Sequence, residues 1–386
     1  MKKVIFIALL LLSIRAQSQS LPLSEGAQIS VITCGPTPNE LYAAFGHSAI
    51  RVYDPDQQID FAYNYGVFDF DQPNFYLNFA RGYLYYKLGV YYYPHFRDYY
   101  ISHNRYVHEQ ILDLTAEQKQ KVFDYLEWNG KPENQTYRYD YFYNNCATKI
   151  RDVLAETLKD ELKFDGSFIK TDYTIRDLTD LYLSPQPWGD LGIDICLGLP
   201  MDKKASTYEY MFLPDYVEYS FDNATINSKP IVKQKVSVYE AIPEGTPFSF
   251  FHPWIVFGSF LLITIGLSYY DWKRKKISKW FDVTIFSVVG WVGILLLLLW
   301  IATDHQAAAT NFNLLWAFPL HAVTALVLLK KQAPTWVINY FKGIAILLAT
   351  TLFFWYILPQ ELNVFLIPVV IALMIRAWLI SNLLEK

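Results

Sequence analysis

The pattern of hydrophobic and polar residues differs between the first two thirds of the chain and the last third. In the first part, three stretches alternate apolar and polar side chains, as a strand with one buried face does. These stretches are residues 26–34 (GAQISVITC), 47–54 (HSAIRVYD) and 59–70 (IDFAYNYGVFDF). Two further stretches, 115–129 and 144–158, place apolar residues at helical spacing. Residues 21–252 are therefore predicted to form an α+β domain with an antiparallel sheet.

Both predicted helices begin with residues suited to capping. Thr115 is placed as the N-cap of the first helix, with Gln118 at the position that completes a capping box. Asn144 or Asn145 can cap the second helix, because an asparagine side chain accepts a hydrogen bond from a free amide of the first turn. Cys146 then lies in that first turn, where unpaired amides and the helix dipole favour a thiolate.

From residue 253 onward the chain carries five apolar stretches, most of them near the length that crosses a bilayer. They are residues 254–270, 283–302, 314–329, 337–358 and 364–383. Lysine and arginine occupy the loops after the first and third stretches, whereas the loops after the second and fourth contain neither. Because basic loops stay in the cytoplasm, residues 253–386 are predicted to be a five-helix transmembrane domain (the membrane domain). Residues 21–252 then lie on the outer side (the exported domain).

The first 20 residues have the features of a signal peptide. Lys2 and Lys3 precede a short apolar run over residues 4–14, and small residues follow at Ala16 and Ser18. The alternative is an uncleaved membrane anchor, which the shortness of the run disfavours. Export of the next domain agrees with the orientation that the basic loops predict.

Composition and charge restrict the partners of the protein. The sequence is 53% hydrophobic and only 18% charged, which is too apolar for a wholly soluble protein. A lipid bilayer is therefore an expected partner. The formal net charge is -4 and no block of basic residues faces a phosphate backbone, so no nucleic-acid partner is expected.

The chain has three cysteines, and Cys146 is the candidate nucleophile. A cysteine nucleophile requires a base, and the base requires a group that orients it. His47, which follows the turn-permitting Gly46 at the start of a strand, is the candidate base. Asn64, in the next strand, is the candidate orienting residue. The alternative is that Cys146 only fills the core.

Cys34 and Cys196 leave two questions open. They can form a disulfide in an oxidising compartment, or they can remain buried free thiols. Cys34 is also an alternative nucleophile, although its position at a strand end offers it no helix dipole.

Three segments, AFGHSAIRVYD, FAYNYGVFDF and YNNCATKIRD, resemble the exported N-terminal domain of the Lnb family of Bacteroidota. The segments WGDLGIDICLGLPMDKKAS, YMFLPDY and TDHQAAATNFNLLWAFPLH extend the resemblance over essentially the whole mature chain. That domain is similar to circularly permuted papain-like enzymes such as the lecithin–retinol acyltransferase group, in which a strand histidine precedes a helix-start cysteine. The resemblance therefore implies a permuted papain-like fold for the exported domain.

The function that the resemblance implies is N-acylation of lipoproteins at the inner (cytoplasmic) membrane. A phospholipid acyl donor would pass one chain, through a thioester on Cys146, to the N-terminal amine of a diacylated lipoprotein acceptor. His47 and Cys146 match the motif positions, whereas permuted relatives often use a second histidine in place of the Asn64 inferred here. No cofactor is expected. The alternatives are a periplasmic cysteine hydrolase, acting on cell-wall peptides or phospholipids, and a non-enzymatic membrane sensor.

Five further residues are candidate substrate contacts. Asn145 adjoins the candidate nucleophile, and Arg51 can contact a phosphate, although a structural carboxylate is its alternative partner. Asp304, His305 and Asn313 belong to a predicted outer loop that either receives the substrate or only caps the helices. Asp304 and His305 lack a third ligand, so no metal site is predicted.

Two features near the bilayer have expected placements. Arg376 lies near the inner end of the last apolar stretch and is expected to extend its charge to the interface. The aromatic run GYLYYKLGVYYYPHF, residues 82–96, forms a sheet edge and core or, alternatively, lies on the bilayer.

Overall fold

The computed structural model describes residues 21–68, 71–243, 245 and 249–385. The predicted signal peptide, residues 1–20, lies outside the described residues. Within the described part, both the exported domain and the membrane domain have regular secondary structure, and the fold is given below only as far as it positions the candidate site.

The exported domain is built on an antiparallel sheet. Its strands are β1 (Gln28–Cys34), β2 (His47–Asp54), β3 (Ile59–Val67), β4 (Leu84–Tyr92), β5 (Val107–Leu112), β6 (Thr136–Tyr139), β7 (Leu162–Lys163), β8 (Thr225–Ile226), β9 (Lys229–Pro230) and β10 (Val232–Tyr239). Seven of them form the main sheet in the order β10-β5-β1-β2-β3-β4-β6, with every neighbouring pair antiparallel. β7, β8 and β9 form a small second sheet. The three strands predicted from alternation are β1, β2 and β3, so the α+β class with an antiparallel sheet is confirmed.

Helices cover both faces of the main sheet. They are α1 (Phe75–Arg81), α2 (Tyr93–Ser102), α3 (Ala116–Asn129), α4 (Cys146–Leu158), α5 (Ile175–Leu183), α6 (Pro187–Cys196), α7 (Thr207–Tyr210) and α8 (Pro214–Asn223). Since side chains alternate between the faces of a strand, Ile29 and Val31 pack beneath α3, α4 and α8. Ile32 and Ala49 point the other way and pack beneath α2.

The predicted helix starts are confirmed by their caps. The Thr115 side chain accepts a hydrogen bond from the Gln118 amide at 3.3 Å, and the Gln118 side chain accepts one from the Thr115 amide at 2.8 Å. At α4 the Asn145 side chain accepts a hydrogen bond from the amide of Thr148 at 2.9 Å. Cys146 is therefore the first residue of α4.

Five helices follow in the described part of the membrane domain. They are α9 (Pro253–Arg274), α10 (Lys279–Ile301), α11 (Leu320–Val327), α12 (Thr335–Phe353) and α13 (Ile367–Leu384). Four spans, the last running from Val364 to Leu384, are long and apolar enough to cross a membrane. The exception is α11, whose 8 residues rise only about 12 Å. The expectation of one continuous helix over 314–329 is wrong, because α11 begins only after Pro319, which cannot supply a helical hydrogen bond.

Two glycines of α10 make room for the irregular backbone before α11 and for the first turn of α11 itself. A Cβ atom on Gly293 would lie 1.8 Å from the carbonyl oxygen of Ala317, and one on Gly290 would lie 2.2 Å from the amide nitrogen of Ala322. Ala317 is fully buried. Enclosure by protein is the condition under which non-helical backbone is tolerated at membrane depth.

Substituting Gly293 by alanine is expected to destabilise the membrane domain by about 1–3 kcal/mol, because its methyl group would overlap the Ala317 carbonyl. The measurement is the midpoint of thermal unfolding of the full chain in detergent. Gly266→Ala in α9 is the matched control, since a Cβ there meets nothing within 4 Å. An unchanged midpoint for Gly293→Ala would contradict the close approach of α10 to Ala317.

Arg376 of α13 is fully buried between helices. Its guanidinium contacts Asp282 of α10 at 2.6 Å and Asp271 of α9 at 2.8 Å. The expectation that its charge extends to the interface is wrong, because these carboxylates balance it inside the bundle.

The exported domain is joined to the membrane domain through α6. Leu191 of α6 belongs to the hydrophobic core of the membrane domain. The side chain of Gln360, in the loop after α12, donates to the Leu197 carbonyl at 3.0 Å. A Cβ atom on Gly198 would lie 1.9 Å from the carbonyl oxygen of Ala309, so two backbones meet there. These contacts hold the exported domain against the outer loops of the membrane helices.

Candidate functional site

The Cys146 side chain lies at the N-terminus of α4, at one end of the main sheet, and is partly exposed. The backbone amides of Ser48 and Ala147 hydrogen-bond its sulfur. Gly66 adjoins it with a φ of +92°, a left-handed conformation that interrupts the pairing of β3 with β4. A Cβ atom on Gly66 would lie 3.5 Å from the Cβ of Cys146. The irregular end of β3 thus accommodates the start of α4.

His47 and Asn64 lie beside Cys146 on neighbouring strands. His47 begins β2 directly after Gly46, whose φ of +81° turns the chain where a Cβ would meet the Cys34 carbonyl at 2.8 Å. The Nε2 atom of His47 donates to the Oδ1 atom of Asn64 at 2.5 Å. The imidazole also hydrogen-bonds the Cys146 sulfur. The structure therefore brings together the three residues that the sequence analysis singled out.

The charges of this pair favour a thiolate and an imidazolium. Burial alone would raise the pKa of the Cys146 thiol, but the His47 charge, its hydrogen bond and the two amides lower it below its ordinary value. Burial acts to lower the pKa of His47, but the Cys146 charge and the hydrogen bonds to Cys146 and Asn64 raise it above its ordinary value. The opposite directions mean that each group stabilises the charged form of the other.

The other two cysteines are free thiols, and Cys34 lies on β1 directly opposite His47. Cys34 and Cys196 form no disulfide with each other, so the disulfide alternative is not realised. Cys34 is fully buried in the core beneath α2, and burial raises its pKa far above the ordinary value. A neutral, enclosed thiol is a poor nucleophile.

Aromatic side chains enclose the pair, and sequence reasoning did not identify them. The Tyr100 ring stacks on the His47 imidazole, with centroids 6.1 Å apart. Tyr139 and Tyr141 adjoin Cys146; burial, and then the charge of its thiolate, raises the pKa of both phenols. With 30 tyrosines in the chain, no sequence pattern distinguishes these three.

Two of the candidate substrate contacts, Asn145 and Arg51, make hydrogen bonds and ion pairs within the exported domain. The Asn145 side chain caps α4 and also donates to the carbonyls of Tyr141 and Phe212, at 2.9 and 2.7 Å. Arg51 pairs with Asp60 at 2.7 Å and with Glu109 at 3.1 Å. The polar atoms of Asn145 and Arg51 thus already have partners within the exported domain, and substrate binding by these two residues stays a prediction.

The three candidates in the outer loop join the two domains. Asp304 accepts from Arg138 at 2.7 Å, and Nε2 of His305 lies 3.0 Å from the Phe79 carbonyl oxygen of α1. Asn313 is buried, and its amide donates to the Ile195 carbonyl of α6 at 3.2 Å. Asn313 is thus structural, while Asp304 and His305 hold α1 and β6 against the membrane domain.

Within the described ranges, Asp180, Asp190 and Asp194 are close enough for one cation to bridge them. Arg176 already pairs with Asp194 at 2.7 Å. Burial and the neighbouring carboxylates raise the pKa of Asp180 to about 9 and that of Asp190 to about 6. A proton on Asp180, hydrogen-bonded to Asp190, and the guanidinium of Arg176 together offset the negative charge of this cluster.

Asp180→Asn is expected to stabilise the protein at alkaline pH and to flatten its pH dependence. Burial and the charges of Asp194 and Asp190 raise the pKa of Asp180 from 3.8 to about 9. The folded state thus keeps a proton that the unfolded chain releases, so this stability is complete below about pH 4 and declines as pH rises to about 9. Thermal unfolding between about pH 5 and 9 measures the slope. Asp172→Asn, at an exposed carboxylate, is the control, and equal slopes in all three proteins would contradict the shift.

The fold and the site together define a membrane-anchored protein whose exported α+β domain carries a Cys–His–Asn arrangement of the kind used by cysteine-dependent enzymes. Comparison with family models matches the Lnb N-terminal periplasmic domain over residues 24–180 and the Lnb transmembrane domain over residues 246–386. The chain belongs to the Lnb family. Family membership indicates a lipoprotein-processing membrane protein with a periplasmic N-terminal domain. No curated protein and no solved structure matches the chain.

Proposed function

We propose that the protein transfers a fatty acyl chain from a membrane phospholipid to the N-terminal amine of a diacylated lipoprotein, through a thioester on Cys146. The observation that carries the proposal is the arrangement of Cys146, His47 and Asn64, in which His47 lowers the pKa of the Cys146 thiol, beside the outer loops of a membrane domain. Such an enzyme resides in the inner membrane with its site in the periplasm, where both lipid-anchored substrates are present.

In the first step the Cys146 thiolate attacks the carbonyl carbon of a phospholipid ester. A C–S bond forms and the ester C–O bond breaks, while the His47 imidazolium gives its proton to the departing oxygen. The lysophospholipid leaves as a neutral alcohol. The Ser48 and Ala147 amides point at the reacting sulfur, which supports stabilisation of negative charge at this place.

In the second step the α-amine of the lipoprotein attacks the thioester carbonyl. The neutral His47 accepts a proton from the amine, and the C–S bond breaks as the amide forms. Cys146 returns as a thiolate beside an imidazolium, so charge and protons balance over the cycle. Asn64 keeps the imidazole oriented in both steps through its bond to Nε2.

A hydrolase is the second candidate function, because water in place of the amine would release a fatty acid from the same thioester. The aromatic rings of Tyr100, Tyr139 and Tyr141 around the pair favour the transferase, since they limit the access of water to a thioester on Cys146. The two functions differ in the acceptor alone.

The test uses the full chain in phospholipid vesicles with a diacylated lipopeptide that bears a free N-terminal amine. Intact mass spectrometry follows the lipopeptide and the protein. A gain of one acyl chain on the lipopeptide, with a transient acyl group on Cys146, supports the proposal. Release of free fatty acid without lipopeptide acylation supports the hydrolase and overturns the transferase.

A further inference from the structure

Helix α1 exposes large apolar side chains although it belongs to the exported domain. Its sequence, FYLNFAR, leaves Tyr76 77% exposed, Leu77 56% exposed and Phe79 50% exposed. Adjacent large apolar groups on a soluble surface mark a binding face. The face contains no acidic residue that would disfavour lipid.

The structure places this helix next to the outer end of a membrane-spanning helix. α10 ends at Ile301, and three residues later the Asp304 amide donates to the Arg81 carbonyl at the end of α1, at 3.0 Å. Gly82, with a φ of +80°, closes the contact, since a Cβ there would lie 3.3 Å from the Asp304 Cβ. Ile301 is itself 66% exposed, as a lipid-facing residue is. The C-terminal end of α1 therefore lies within three residues of the outer end of α10, where apolar side chains are exposed on both helices.

A row of aromatic rings leads from α1 to Cys146. Phe79 adjoins Phe75, with ring centroids 6.2 Å apart, and Phe75 stacks on Phe68 at 6.4 Å. The row continues through Tyr86 to Tyr139. Phe68 stacks on Tyr86 at 5.1 Å, and Tyr86 adjoins Tyr139 at 4.3 Å.

The last ring of the row reaches the candidate nucleophile. A Cβ atom on Gly66 would lie 3.9 Å from Cε2 of Tyr139 and 3.5 Å from Cβ of Cys146. Tyr139 and Cys146 therefore border the same small space. Every side chain of the row is aromatic, so its surface suits a hydrocarbon chain better than a peptide or a sugar, which would leave polar groups unpaired.

We propose that α1 inserts into the outer leaflet of the bilayer and that the ring row guides one acyl chain of a phospholipid from that leaflet to Cys146. The occupant is a phospholipid of the membrane that α10 crosses, because the C-terminal end of α1 lies beside the lipid-facing end of that helix. Insertion of α1 into the leaflet does not depend on the proposed acyl transfer, whereas delivery of the chain to Cys146 rests on it.

The first arm of the test does not depend on catalysis. A photoreactive benzophenone amino acid replaces Tyr76 in the full chain, reconstituted in vesicles of phosphatidylethanolamine and phosphatidylglycerol. Illumination is expected to give a phospholipid adduct at least about 10-fold more abundant than with the same group at Tyr219 of α8. Tyr219 is 45% exposed, but Glu218, Asp222 and Lys235 surround it. Equal yields at the two positions would overturn insertion of α1.

The second arm tests delivery of the acyl chain. Acyl-Cys146 formation is followed by mass with vesicle phospholipid and with the soluble ester p-nitrophenyl butyrate. The double variant Tyr76→Asn, Leu77→Asn is expected to lower the ratio of the two rates about 10-fold, because polar side chains weaken insertion at the leaflet. Tyr219→Asn is expected to leave the ratio unchanged.

The outcomes separate this inference from the proposed function. An unchanged ratio in the α1 variant, with both esters reacting in the wild type, overturns delivery through the row. Reaction of the wild type with the soluble ester but never with phospholipid overturns the proposed acyl transfer and with it the delivery of a chain. In that case the yield of phospholipid adduct at position 76, which does not depend on catalysis, still decides whether α1 enters the leaflet.

Discussion

Replacing Cys146 by serine is expected to lower acyl transfer to the lipopeptide at least about 10³-fold, because the variant lacks the thiolate. A serine hydroxyl has nearly the size of the thiol, but its pKa is far too high for His47 to hold it as an anion. The start of α4 depends on the Asn145 cap and not on the sulfur, so the fold is expected to persist. The measurement is the initial rate of mass gain on the lipopeptide in vesicles.

Cys196→Ala is the matched control for the loss of a thiol. Cys196 is a free cysteine of α6, and burial raises its pKa. We expect this variant to keep the wild-type rate within about two-fold. A wild-type rate in Cys146→Ser, with an unchanged far-UV circular dichroism spectrum, would show that the Cys146 thiol is not the nucleophile.

Local signals in the sequence predicted the elements that carry the site. Alternation identified β2 and β3, and the capping residues identified the N-cap of α4, which directly precedes Cys146. These signals act over a few residues, because strand faces and helix caps are determined by neighbours along the chain. They were sufficient to single out His47, Asn64 and Cys146 as candidate site residues.

Side-chain partners distant in sequence could not be predicted in the same way. Asp304 contacts Arg138, and Arg376 contacts Asp282, only because the fold brings separate helices and strands together. Arg51 shows the limit clearly. Its residue type suits a phosphate as well as a carboxylate, and the positions of Asp60 on β3 and Glu109 on β5 decide for the carboxylate.

The membrane domain shows a second limit, which concerns apolar stretches. Hydropathy measures how well a segment tolerates an apolar environment, and the interior of a helical bundle is such an environment. The stretch over 314–329 is apolar because Trp316 and Ala317 are buried against neighbouring helices. Only Pro319 indicated that the helix begins late, so a continuous span was predicted where a short helix follows an irregular segment.

The attachment of the exported domain to the membrane helices fixes the orientation of the candidate site toward the bilayer. α6 is anchored in the core of the membrane domain through Leu191, and α1 is held by Asp304. Two separated anchors restrict rotation of the domain, so the end of the sheet that bears Cys146 keeps one orientation toward the bilayer. For the two lipid-anchored substrates of the proposed reaction, such positioning would replace a search in three dimensions by one along the membrane surface.

Asn64→Ala is expected to lower the rate of acyl transfer about 10²-fold and to shift its alkaline limit to lower pH. The Asn64 side chain accepts the Nε2 proton of His47 at 2.5 Å, which fixes the ring and leaves its other nitrogen for Cys146. That hydrogen bond is one of the contributions that raise the pKa of His47. Because the active pair needs a protonated imidazole, losing this bond makes the pair deprotonate at lower pH.

Asn64→Asp separates a positioning role from a merely structural one. Aspartate keeps the acceptor atom and adds a negative charge, so it raises the pKa of His47 further and is expected to move the alkaline limit of the rate to higher pH. The measurement is the rate of acyl-Cys146 formation against pH for the wild type, Asn64→Ala and Asn64→Asp. Opposite displacements of the alkaline limit in the two variants support orientation of His47 by Asn64. A uniform loss of rate in both, with no displacement, would mean that Asn64 serves only the packing of β3.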